Sequence, residues 1–538
     1  MNRYFDDMLD MGSRGWVVAV LALFSFIMLG SNIGGLSIYA YDEAKNAGCA
    51  REMMERADWV VPTFNGDLRT DKPPLHYYFM ILGYRLFGVT PFGARFFSVL
   101  AGVATVLLTF WFARRYLGHR TAVLSAFILL SSLQYGIQYH LAVPDPYLIL
   151  WLSMAFFGFY AFAHEKKTSF LWMCYGGAAL GVLTKGPVAL VLPGLAALIF
   201  LLSTRRLSWS LVRQYKPWWG LLLILVVNLP WYLAVHHATD GAWTRGFFLQ
   251  HNLGRYTSTM EGHGGFFLLP PLFLIAALLP FSIFVIQAAG HALREKPRAL
   301  LFYGLVTALA VAGFFSLSQT KLLNYISPGM PFLAIVLAGA LSGSRRTPGR
   351  WDKVCAWLYA FIAMLIPIGL YIALITEEGL DHLRFWALLA LPLPLAAIMG
   401  LRKLYYGELG SWIMLNGLAF MLFSLLFFYV LYPRVDRTNV VLRGLGHLDT
   451  SREIIAYGNL NPAFVFYLPR CVQVFSEAGV LREHMQKSSD DLYLITTGRH
   501  RQVVEEMECL ELLFSGKDLF ESPVNLIYRR RCAEPTDH

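Results

Sequence analysis

Long runs of apolar residues, separated by short polar connections, occupy the chain as far as Tyr432. A run of roughly 20 apolar residues crosses the ~30 Å hydrocarbon core of a bilayer as a helix. The first run is longer than a signal-peptide core and lacks a small-residue cleavage site, so we interpret it as a retained span whose amino terminus stays inside. In all, the runs predict thirteen spans, at approximately 16–39, 91–113, 120–139, 146–163, 168–184, 187–203, 218–236, 265–289, 299–317, 324–342, 354–375, 385–400 and 410–432.

The composition agrees with a polytopic membrane protein and excludes a soluble enzyme. Of the 538 residues, 56% are hydrophobic and 15% are charged. The mean hydropathy is +0.50, so the chain is more apolar than one globular core requires. The formal net charge is +10, and the tail from Pro433 onward carries 13 basic and 15 acidic side chains. The basic excess therefore belongs to the membrane part, where it is typical of cytoplasmic loops rather than of a nucleic-acid surface.

Basic residues cluster on alternate connections between the spans, as the positive-inside rule expects for cytoplasmic loops. The clusters are Arg114, Arg115 and Arg120; Lys166 and Lys167; Arg205, Arg206, Arg213 and Lys216; Arg294, Lys296 and Arg298; Arg345, Arg346, Arg350 and Lys353; and Arg402 and Lys403. With an odd number of spans and the amino terminus inside, the tail lies outside. In a Gram-negative bacterium that side is the periplasm.

The sequence therefore predicts two domains. Residues 1–432 form a membrane domain with two long outer loops, 40–90 and 236–264, and residues 433–538 form a small periplasmic α/β domain. The tail changes to the residue alternation of a soluble protein. It predicts strands at 454–457, 472–475, 492–496 and 524–528 and helices at 478–486 and 499–509.

Helical spacing of apolar positions predicts two helices in the first outer loop. Residues 43–58 combine such spacing with many charged side chains, which suits a helix lying on the membrane surface. A solvated helical loop is the alternative. Residues 75–87 are weakly amphipathic and predict a second surface helix or a shallow re-entrant one.

The six cysteines do not indicate a metal site. None has CxxC spacing, which argues against zinc bound by thiolates. Cys174 and Cys355 fall in or beside predicted spans, and the other four cysteines face the oxidising side of the membrane. Both a disulfide within the tail and free thiols are therefore open alternatives. The cysteines are Cys49, Cys174, Cys355, Cys471, Cys509 and Cys532.

Ionisable side chains at the outer ends of the spans are candidates for function, because they are costly to keep at membrane depth. Lys185, Arg255 and Lys321 also break the positive-inside bias, and a bound anion would explain them. A polyprenyl phosphate suits this depth. Its tail lies in the bilayer and its phosphate at the interface, where Lys, Arg and Tyr side chains bind it. Carboxylates nearby would then suit proton abstraction or metal binding.

Structural explanations of the same residues stay open. Lys185 would, on this alternative, only cap the end of a helix and extend to the interface. Asp42, Asp71 and Asp145 would be helix caps or loop anchors. The coincidence of several such residues at one membrane level favours the functional interpretation.

Taken in order, a series of motifs resembles the bacterial lipid-A aminoarabinose transferases. The motifs are Tyr41-Asp42-Glu43, Asp58-Trp59-Val60-Val61-Pro62, Asn65-Gly66, Asp71-Lys72-Pro73-Pro74-Leu75, Asp145, Leu183-Thr184-Lys185-Gly186-Pro187, His251 with Arg255-Tyr256, and Ser318 with Lys321 and Tyr325. These transferases belong with the protein O-mannosyltransferases in the GT-C class of lipid-phosphate-sugar-dependent glycosyltransferases. The resemblance runs from about residue 15 to the end.

The resemblance implies a fold, a reaction and a set of site residues. The fold is a GT-C-type polytopic α-helical membrane protein with a small periplasmic α/β domain. The reaction is an inverting-type transfer on the outer face of the bacterial inner membrane, in which 4-amino-4-deoxy-L-arabinose moves from undecaprenyl phosphate to a phosphate of lipid A. The candidate catalytic residues are Asp42, Glu43 and Asp145; the candidate ligands of the lipid phosphate are Lys72, Lys185, Arg255, Lys321 and Tyr325; and Asp71 with His251 would hold a divalent metal, zinc or manganese.

The chain also departs from the family pattern. Where the motif usually reads Asp-Glu-x-Arg-Tyr, this chain has Asp42-Glu43-Ala44-Lys45-Asn46, and Asp71 replaces the usual Glu of Glu-Lys-Pro-Pro. One alternative is therefore a transferase that uses another sugar or acts on protein, core oligosaccharide or cell-wall glycan. A lipid-linked-sugar transporter is another, but the internal repeats and mid-membrane charges typical of transporters do not occur in the sequence. The expected partners are the lipid-linked donor, the glycan or protein acceptor and membrane lipids; we expect a monomer that binds no nucleic acid.

Overall fold

The computed structural model describes residues 15–254, 265–294, 300–342, 348–488 and 491–531. Helices make up most of the part before residue 446. The α-helices are α1 (Gly15–Leu29), α2 (Tyr41–Glu55), α3 (Leu75–Phe87), α4 (Pro91–Leu117), α5 (His119–Leu130), α6 (Leu133–Tyr139), α7 (Asp145–Glu165), α8 (Thr168–Lys185), α9 (Val188–Ser203), α10 (Trp209–Gln214), α11 (Pro217–Ala238), α12 (Ala242–Arg245), α13 (Leu269–Ala277), α14 (Val285–Arg294), α15 (Leu300–Leu317), α16 (Met330–Leu341), α17 (Arg350–Thr376), α18 (Pro392–Tyr405), α19 (Leu409–Leu426), α20 (Tyr432–Asp436) and α21 (Val440–Leu445). Tighter or wider helical turns over Gly246–Gly254, Phe281–Phe284, Leu323–Gly329, Asp381–Ala390 and Phe427–Leu431 extend or join them.

The long helices pack around one large hydrophobic core and confirm a polytopic helical membrane fold. Among the described residues, eight helices are long and apolar enough to span a membrane, and two bent helix pairs raise the number to ten. Each of the thirteen predicted stretches contains helix. The number of membrane crossings stays a prediction, because several of these helices are short or bent.

Two of the predicted spans are broken. The axis turns by 69° between α5 and α6, and by 118° between α13 and the helix at 281–294. Ser132 explains the first break, because its hydroxyl accepts a hydrogen bond from the Tyr135 backbone N–H and so caps a new helix. Pro280 lies at the second break, where it supplies no N–H to continue the helix. The first span is also shorter than predicted, since α1 ends at Leu29.

Both predicted helices of the first loop (residues 40–90) are present, and α3 has the predicted bounds. Buried residues surround most of the circumference of α2, which contradicts the alternative of a solvated helical loop. That this helix lies along the membrane surface stays a prediction. The tail covers one side of this helix. Arg51, 6% exposed, donates hydrogen bonds to the carbonyls of Val465, Phe466 and Leu468. A short hairpin of β1 (Thr63–Phe64) and β2 (Asp67–Leu68) follows α2.

A five-stranded sheet forms the centre of the C-terminal domain. Parallel neighbours in a sheet need crossover connections, and helices supply them between β3 and β4 and between β4 and β5. The elements are β3 (Glu453–Tyr457), α22 (Pro462–Tyr467), β4 (Gln473–Phe475), α23 (Ala478–Lys487), β5 (Leu492–Thr497), α24 (Arg501–Glu505), β6 (Leu510–Lys517) and β7 (Val524–Arg530). The strand order is β4-β3-β5-β7-β6, with β4, β3 and β5 parallel and β7 antiparallel to both of its neighbours.

The four predicted strands of the tail and its first predicted helix are confirmed. The helix predicted at 499–509 is too long, because only Arg501–Glu505 is α-helical and the edge strand β6 follows. A register shift between Leu512 and Phe514 interrupts the alternation of inward- and outward-facing residues in β6. The sequence pattern therefore did not predict this strand. Helix α22 was also missed, although Asn461 caps it by accepting a hydrogen bond from the Ala463 N–H.

One cysteine of the tail, Cys509, is disulfide-bonded. The thiols Cys49, Cys174, Cys355 and Cys471 are free. The sequence left a disulfide and free thiols open for the tail. The disulfide applies to Cys509 and the free thiol to Cys471.

Candidate active site

A cavity of about 450 Å³ lies where one end of the membrane helices meets the first loop. We call it the membrane-level cavity. It brings together six of the ten predicted site residues, which come from five separate parts of the sequence. Its polar lining residues are Asp71, Lys72, Asp145, Lys185, His251, Ser318 and Tyr325, and its apolar lining residues are Leu148, Pro187, Val188, Val191, Phe247, Phe248, Phe314, Phe315 and Pro328.

An ion pair between two helix ends lies in this cavity. Asp145 is the first residue of α7 and Lys185 the last of α8. Lys185 Nζ donates a hydrogen bond of 2.7 Å to Asp145 Oδ1, and the two side chains are 14% and 5% exposed. Lys185 Nζ also lies 5.0 Å from the ring centroid of Tyr325. The lysine therefore turns toward a buried carboxylate, which disagrees with a lysine that only extends to the interface.

The glycine of the Lys-Gly-Pro motif allows this arrangement. Gly186 has a φ of +87°, and a Cβ atom there would lie 2.5 Å from Cζ of Phe247. Residues with a side chain rarely adopt this φ, and the close approach of Phe247 leaves no space for one. The turn after Lys185 and the contact with the segment that carries His251 therefore both need glycine.

Asp71 is held from two sides. His251 Nε2 lies 2.8 Å from Asp71 Oδ1, and Arg69 Nη2 lies 3.1 Å from Asp71 Oδ2. Burial alone would raise the pKa of Asp71, but the hydrogen bond to His251 and the charges of Arg69 and Lys72 hold it well below its ordinary value. Its contribution to stability is thus present above the ordinary carboxyl pKa of about 4 and is lost only as the pH falls toward the lowered value.

Arg69 connects two of the predicted carboxylates, and sequence reasoning missed it. Its side chain is 5% exposed, and Nη2 lies 3.7 Å from Asp42 Oδ1 as well as near Asp71. Nε donates to the hydroxyl of Tyr77 over 3.1 Å, and Nη2 donates to Asn46 Oδ1 over 3.4 Å. The only signal in the sequence was a basic residue two positions before Asp71.

Two lysines and two aspartates carry the charges that line this cavity. Lys72, 5% exposed, and Lys185 both line it. Burial and then the charges of Lys72 and Arg69 hold the pKa of His76 well below its ordinary value. The imidazole of His76 is therefore neutral, and its Nε2 lies 3.2 Å from Asn46 Oδ1. Lys72 and Lys185 are the cationic groups that this cavity offers to a bound anion.

The remaining predicted phosphate ligands differ in position. Tyr325 lines the cavity and packs against Phe315, with ring centroids 4.8 Å apart. Lys321 lies next to the cavity, where its Nζ donates to the carbonyl of the lining residue Ser318 over 2.8 Å. Arg255 lies outside the described residues.

Trp243 fixes the first loop to the segment that carries His251. Its indole Nε1 donates to the carbonyl oxygen of Arg69 over 2.9 Å, and its fully buried ring packs with Trp231 and Phe247. This contact holds residues 69–72 beside Gly246–Gly254. The approach of Asp71 to His251 therefore depends on a tryptophan that sequence reasoning did not select.

Glu43, predicted as catalytic, does not line this cavity. Its side chain is 2% exposed and forms a two-pronged ion pair with Arg95, with Nε–Oε1 at 2.7 Å and Nη2–Oε2 at 2.8 Å. Oε1 also accepts from the Ala142 N–H over 2.8 Å. The adjacent Asp42 is exposed and lies beside Arg69. This geometry favours a structural role for Glu43 and leaves Asp42 accessible to substrate.

The surroundings of Asp71 and His251 fit a divalent metal poorly. Within the described ranges, no group of three or more His, Cys, Asp and Glu side chains is placed to hold a metal. Zinc sites in proteins use at least three protein ligands. One oxygen of Asp71 is also paired with the Arg69 guanidinium, and Lys72 adds a second positive charge nearby. The pair fits a hydrogen bond to a charged carboxylate better.

Elemental analysis of the purified protein tests the metal that the resemblance implies. If Asp71 and His251 only share a hydrogen bond, we expect no stoichiometric zinc or manganese and transfer activity that survives chelation. Asp71→Glu, which restores the usual carboxylate of the family, is the matched control for Asp71→Asn, which removes the charge. A metal that is present in the wild type and in Asp71→Glu, and lost in Asp71→Asn, would establish a metal site instead.

The sequence is similar to that of known membrane glycosyltransferases. Residues 71–233 match the profile of the family described as dolichyl-phosphate-mannose-protein mannosyltransferase. An undecaprenyl phosphate-alpha-4-amino-4-deoxy-L-arabinose arabinosyl transferase from Shewanella sediminis is 30% identical over 383 residues, which are 69% of this chain and 69% of the relative. The protein of the same name from Edwardsiella ictaluri is 32% identical over 369 residues, covering 66% of this chain and 64% of the relative.

The fold is also similar to a solved structure. The crystal structure of ArnT from Cupriavidus metallidurans bound to undecaprenyl phosphate superposes with a TM-score of 0.79 at 20% sequence identity. The match covers 98% of this chain and all of that protein. It extends over both the membrane part and the C-terminal domain, so the two parts share one architecture with that protein.

Proposed function

This chain belongs to the undecaprenyl phosphate-aminoarabinose arabinosyl transferase family of GT-C glycosyltransferases, and from that membership we propose that it transfers 4-amino-4-deoxy-L-arabinose from undecaprenyl phosphate to a phosphate of lipid A on the periplasmic face. It is a multi-pass protein of the bacterial inner membrane that uses a lipid-linked sugar donor. The identity of the sugar, the identity of the acceptor and the side of the membrane on which the reaction occurs are our proposals.

The observation that carries the proposal is the mixed lining of the membrane-level cavity. Two lysines and a tyrosine provide cationic and hydrogen-bonding groups for a phosphate, while leucine, valine and phenylalanine side chains provide apolar contacts. A polyprenyl phosphate presents this combination of a charged head and an apolar chain. Desolvation by the apolar lining strengthens the attraction between the lysines and the phosphate.

In the proposed reaction the bond between sugar C1 and the phosphate oxygen of undecaprenyl phosphate breaks. An acceptor oxygen forms the new bond to C1, and undecaprenyl phosphate leaves with the electron pair. Lys72 and Lys185 stabilise the negative charge that develops on the leaving phosphate, and Asp145 fixes the position of Lys185. A phosphate acceptor is already anionic, so Asp42 would orient the donor or stabilise positive charge at C1; for a hydroxyl acceptor Asp42 would act as general base.

A transferase with a protein or another glycan as acceptor is the second candidate. The profile match over residues 71–233 favours it, because that family is described as acting on protein. The two candidates share the donor cavity and differ in the acceptor.

Mass spectrometry of lipid A from cells with and without the gene separates these candidates. We expect the mass of one aminoarabinose residue on a lipid A phosphate only when the gene is present, and its loss in cells that carry Lys72→Met. Cells that carry Lys167→Met, a lysine 63% exposed at the opposite end of α8, should retain the modification. Unmodified lipid A together with a modified protein or core oligosaccharide would support the second candidate.

The periplasmic position of the tail is a separate prediction, based on the alternating basic loops. Reporter fusions placed after Pro433 should report the periplasm, and fusions in the connection at Lys166 and Lys167 should report the cytoplasm. A cytoplasmic signal after Pro433 would reverse the side on which the proposed reaction occurs.

A further inference from the structure

A second cavity, of about 630 Å³, lies between the first loop and the C-terminal domain. We call it the loop–tail cavity. It shares no lining residue with the membrane-level cavity. Residues of α2 and of the β1-β2 hairpin line one wall, and residues that follow β3 and β5 line the other.

The turn of the hairpin joins the two walls. Asn65 and Gly66 form this turn with positive φ angles of 56° and 84°. The Asn65 side chain donates to the carbonyl of Val472 over 2.8 Å and accepts from the Val472 N–H over 2.7 Å. The Asn-Gly motif therefore anchors the first loop to the tail directly beside β4, which gives the loop–tail cavity two fixed walls.

The tail wall lies at the topological switch point of the sheet. From β3 the chain crosses to β4 on one side, whereas β5 lies on the other side of β3. Ligands of open sheets with parallel strands bind outside the carboxyl ends of the strands at such a point. Gly458, directly after β3, and Gly498, directly after β5, both line the loop–tail cavity.

Polar groups that lack partners line this cavity. Lys45 and Arg499 form no ion pair within the described ranges, and with Asp67 as the one lining carboxylate they leave a positive surplus. Asn525 is 1% exposed, and its Nδ2 has no hydrogen-bond partner in the part of the chain that the structure describes. A buried amide without a partner is costly, and a bound ligand with an acceptor oxygen would remove that cost.

We propose that the loop–tail cavity binds an anionic saccharide. Arg499 and Lys45 suit its phosphate or carboxylate, for which a guanidinium offers paired donors. Asn525 and Thr497 suit the hydroxyl groups of the saccharide. A sugar hydroxyl can both donate and accept a hydrogen bond, and so can a side-chain amide or hydroxyl. Tyr41 adds an aromatic surface, and its hydroxyl is fixed by donating to Asp518 over 2.6 Å.

Side-chain contacts that begin at the first turn of α2 connect the loop–tail cavity to the membrane-level cavity. Tyr41 lines the former, and the next residue, Asp42, lies 3.7 Å from Arg69, which contacts Asp71 in the latter. A saccharide that contacts Tyr41 is thus close to Asp42, the carboxylate proposed to act at sugar C1. The identification of this saccharide as the sugar head of the acceptor rests on the proposed function. The proposal that the loop–tail cavity binds an anionic saccharide does not depend on that function.

A ligand-observed NMR titration of the full-length protein in detergent tests the proposal, with glucosamine 6-phosphate as the probe. Arg499→Gln and Lys45→Gln should each weaken binding by about tenfold, the scale of a lost charge-assisted hydrogen bond. Arg470→Gln changes an exposed arginine of the same domain outside the loop–tail cavity and should bind as the wild type does. Free glucosamine and inorganic phosphate should both bind more weakly than the sugar phosphate.

Equal binding by the wild type and Arg499→Gln, no binding by the wild type, or inorganic phosphate binding as tightly as the sugar phosphate would overturn the proposal. Transfer kinetics identify the source of the saccharide. A raised KM for the acceptor in Arg499→Gln, with the donor KM unchanged, supports the acceptor head group. An unchanged acceptor KM together with weakened sugar-phosphate binding supports a soluble saccharide. A wild-type protein that binds the probe but transfers no aminoarabinose would contradict only the proposed function.

Discussion

Replacing Glu43 by Gln is expected to lower the free energy of unfolding by about 3–5 kcal/mol, the cost of leaving one charge of a buried pair without its partner. The charge left behind is that of Arg95, which is 2% exposed. This guanidinium also donates to the carbonyls of Ile33, Leu36 and Ser37. Loss of Glu43 would therefore loosen the connection between α1, α2 and α4. Thermal unfolding of the purified protein, followed by tryptophan fluorescence, measures the change.

Glu55→Gln is the matched control for this prediction. Glu55 belongs to the same helix, but its side chain is 54% exposed and lies 3.6 Å from Arg51. Because Glu55 is exposed to solvent and lies beyond hydrogen-bond distance of Arg51, this pair should contribute at most about 1 kcal/mol, so the midpoint of unfolding should hardly change. If Glu43→Gln unfolds like the wild type and yet loses transfer activity, Glu43 is catalytic, as the sequence predicted, and its structural role is rejected.

Replacing Lys185 by Met is expected to reduce kcat/KM for the lipid-linked donor by about 5–150-fold, equivalent to roughly 1–3 kcal/mol of transition-state stabilisation. Methionine keeps most of the apolar stem and removes the charge that would pair with the leaving phosphate. It also leaves Asp145 buried without its counter-charge. Lys72→Met should act in the same direction. Single-turnover transfer from a purified polyprenyl-phosphate sugar measures the effect.

Two further variants separate phosphate binding from the structural effect of the ion pair. Lys167→Met removes an exposed lysine at the opposite end of α8 and should leave kcat/KM unchanged. Lys185→Met combined with Asp145→Asn also removes the carboxylate that the single variant leaves unpaired. Any activity that the double variant regains relative to Lys185→Met measures the effect of burying Asp145 without a counter-charge. Wild-type kinetics in both Lys185→Met and Lys72→Met would show that neither lysine binds the donor.

The sequence determined the class of fold and the position of most helices. Hydropathy is a local property, so a run of apolar residues identifies its own helix whatever packs against it. The residue alternation of the tail likewise identified four of its five strands. The strand that escaped, β6, contains a register shift. The breaks in two spans lie at Ser132 and Pro280, inside runs that are apolar enough to be counted as single spans.

Part of the candidate site could also be predicted from the sequence. Cations that oppose the positive-inside bias and carboxylates at span ends are unusual at membrane depth, and six of the ten residues selected on such grounds and on motif resemblance line one cavity. The Lys-Gly-Pro motif has a local reason as well, because Gly186 requires a positive φ.

Only the tertiary structure decided which charges pair. Glu43 and Asp42 are adjacent in the sequence, but Glu43 pairs with Arg95, 52 residues away, and Asp42 faces Arg69. Trp243 holds the carbonyl of Arg69 across 174 residues. Whether a carboxylate is a buried anchor or an accessible reactant depends on such distant partners, and residue type and spacing along the chain carry no information about them. The sequence by itself therefore determined which residues are unusual at the membrane surface, and the packing of distant segments decided which of them face substrate.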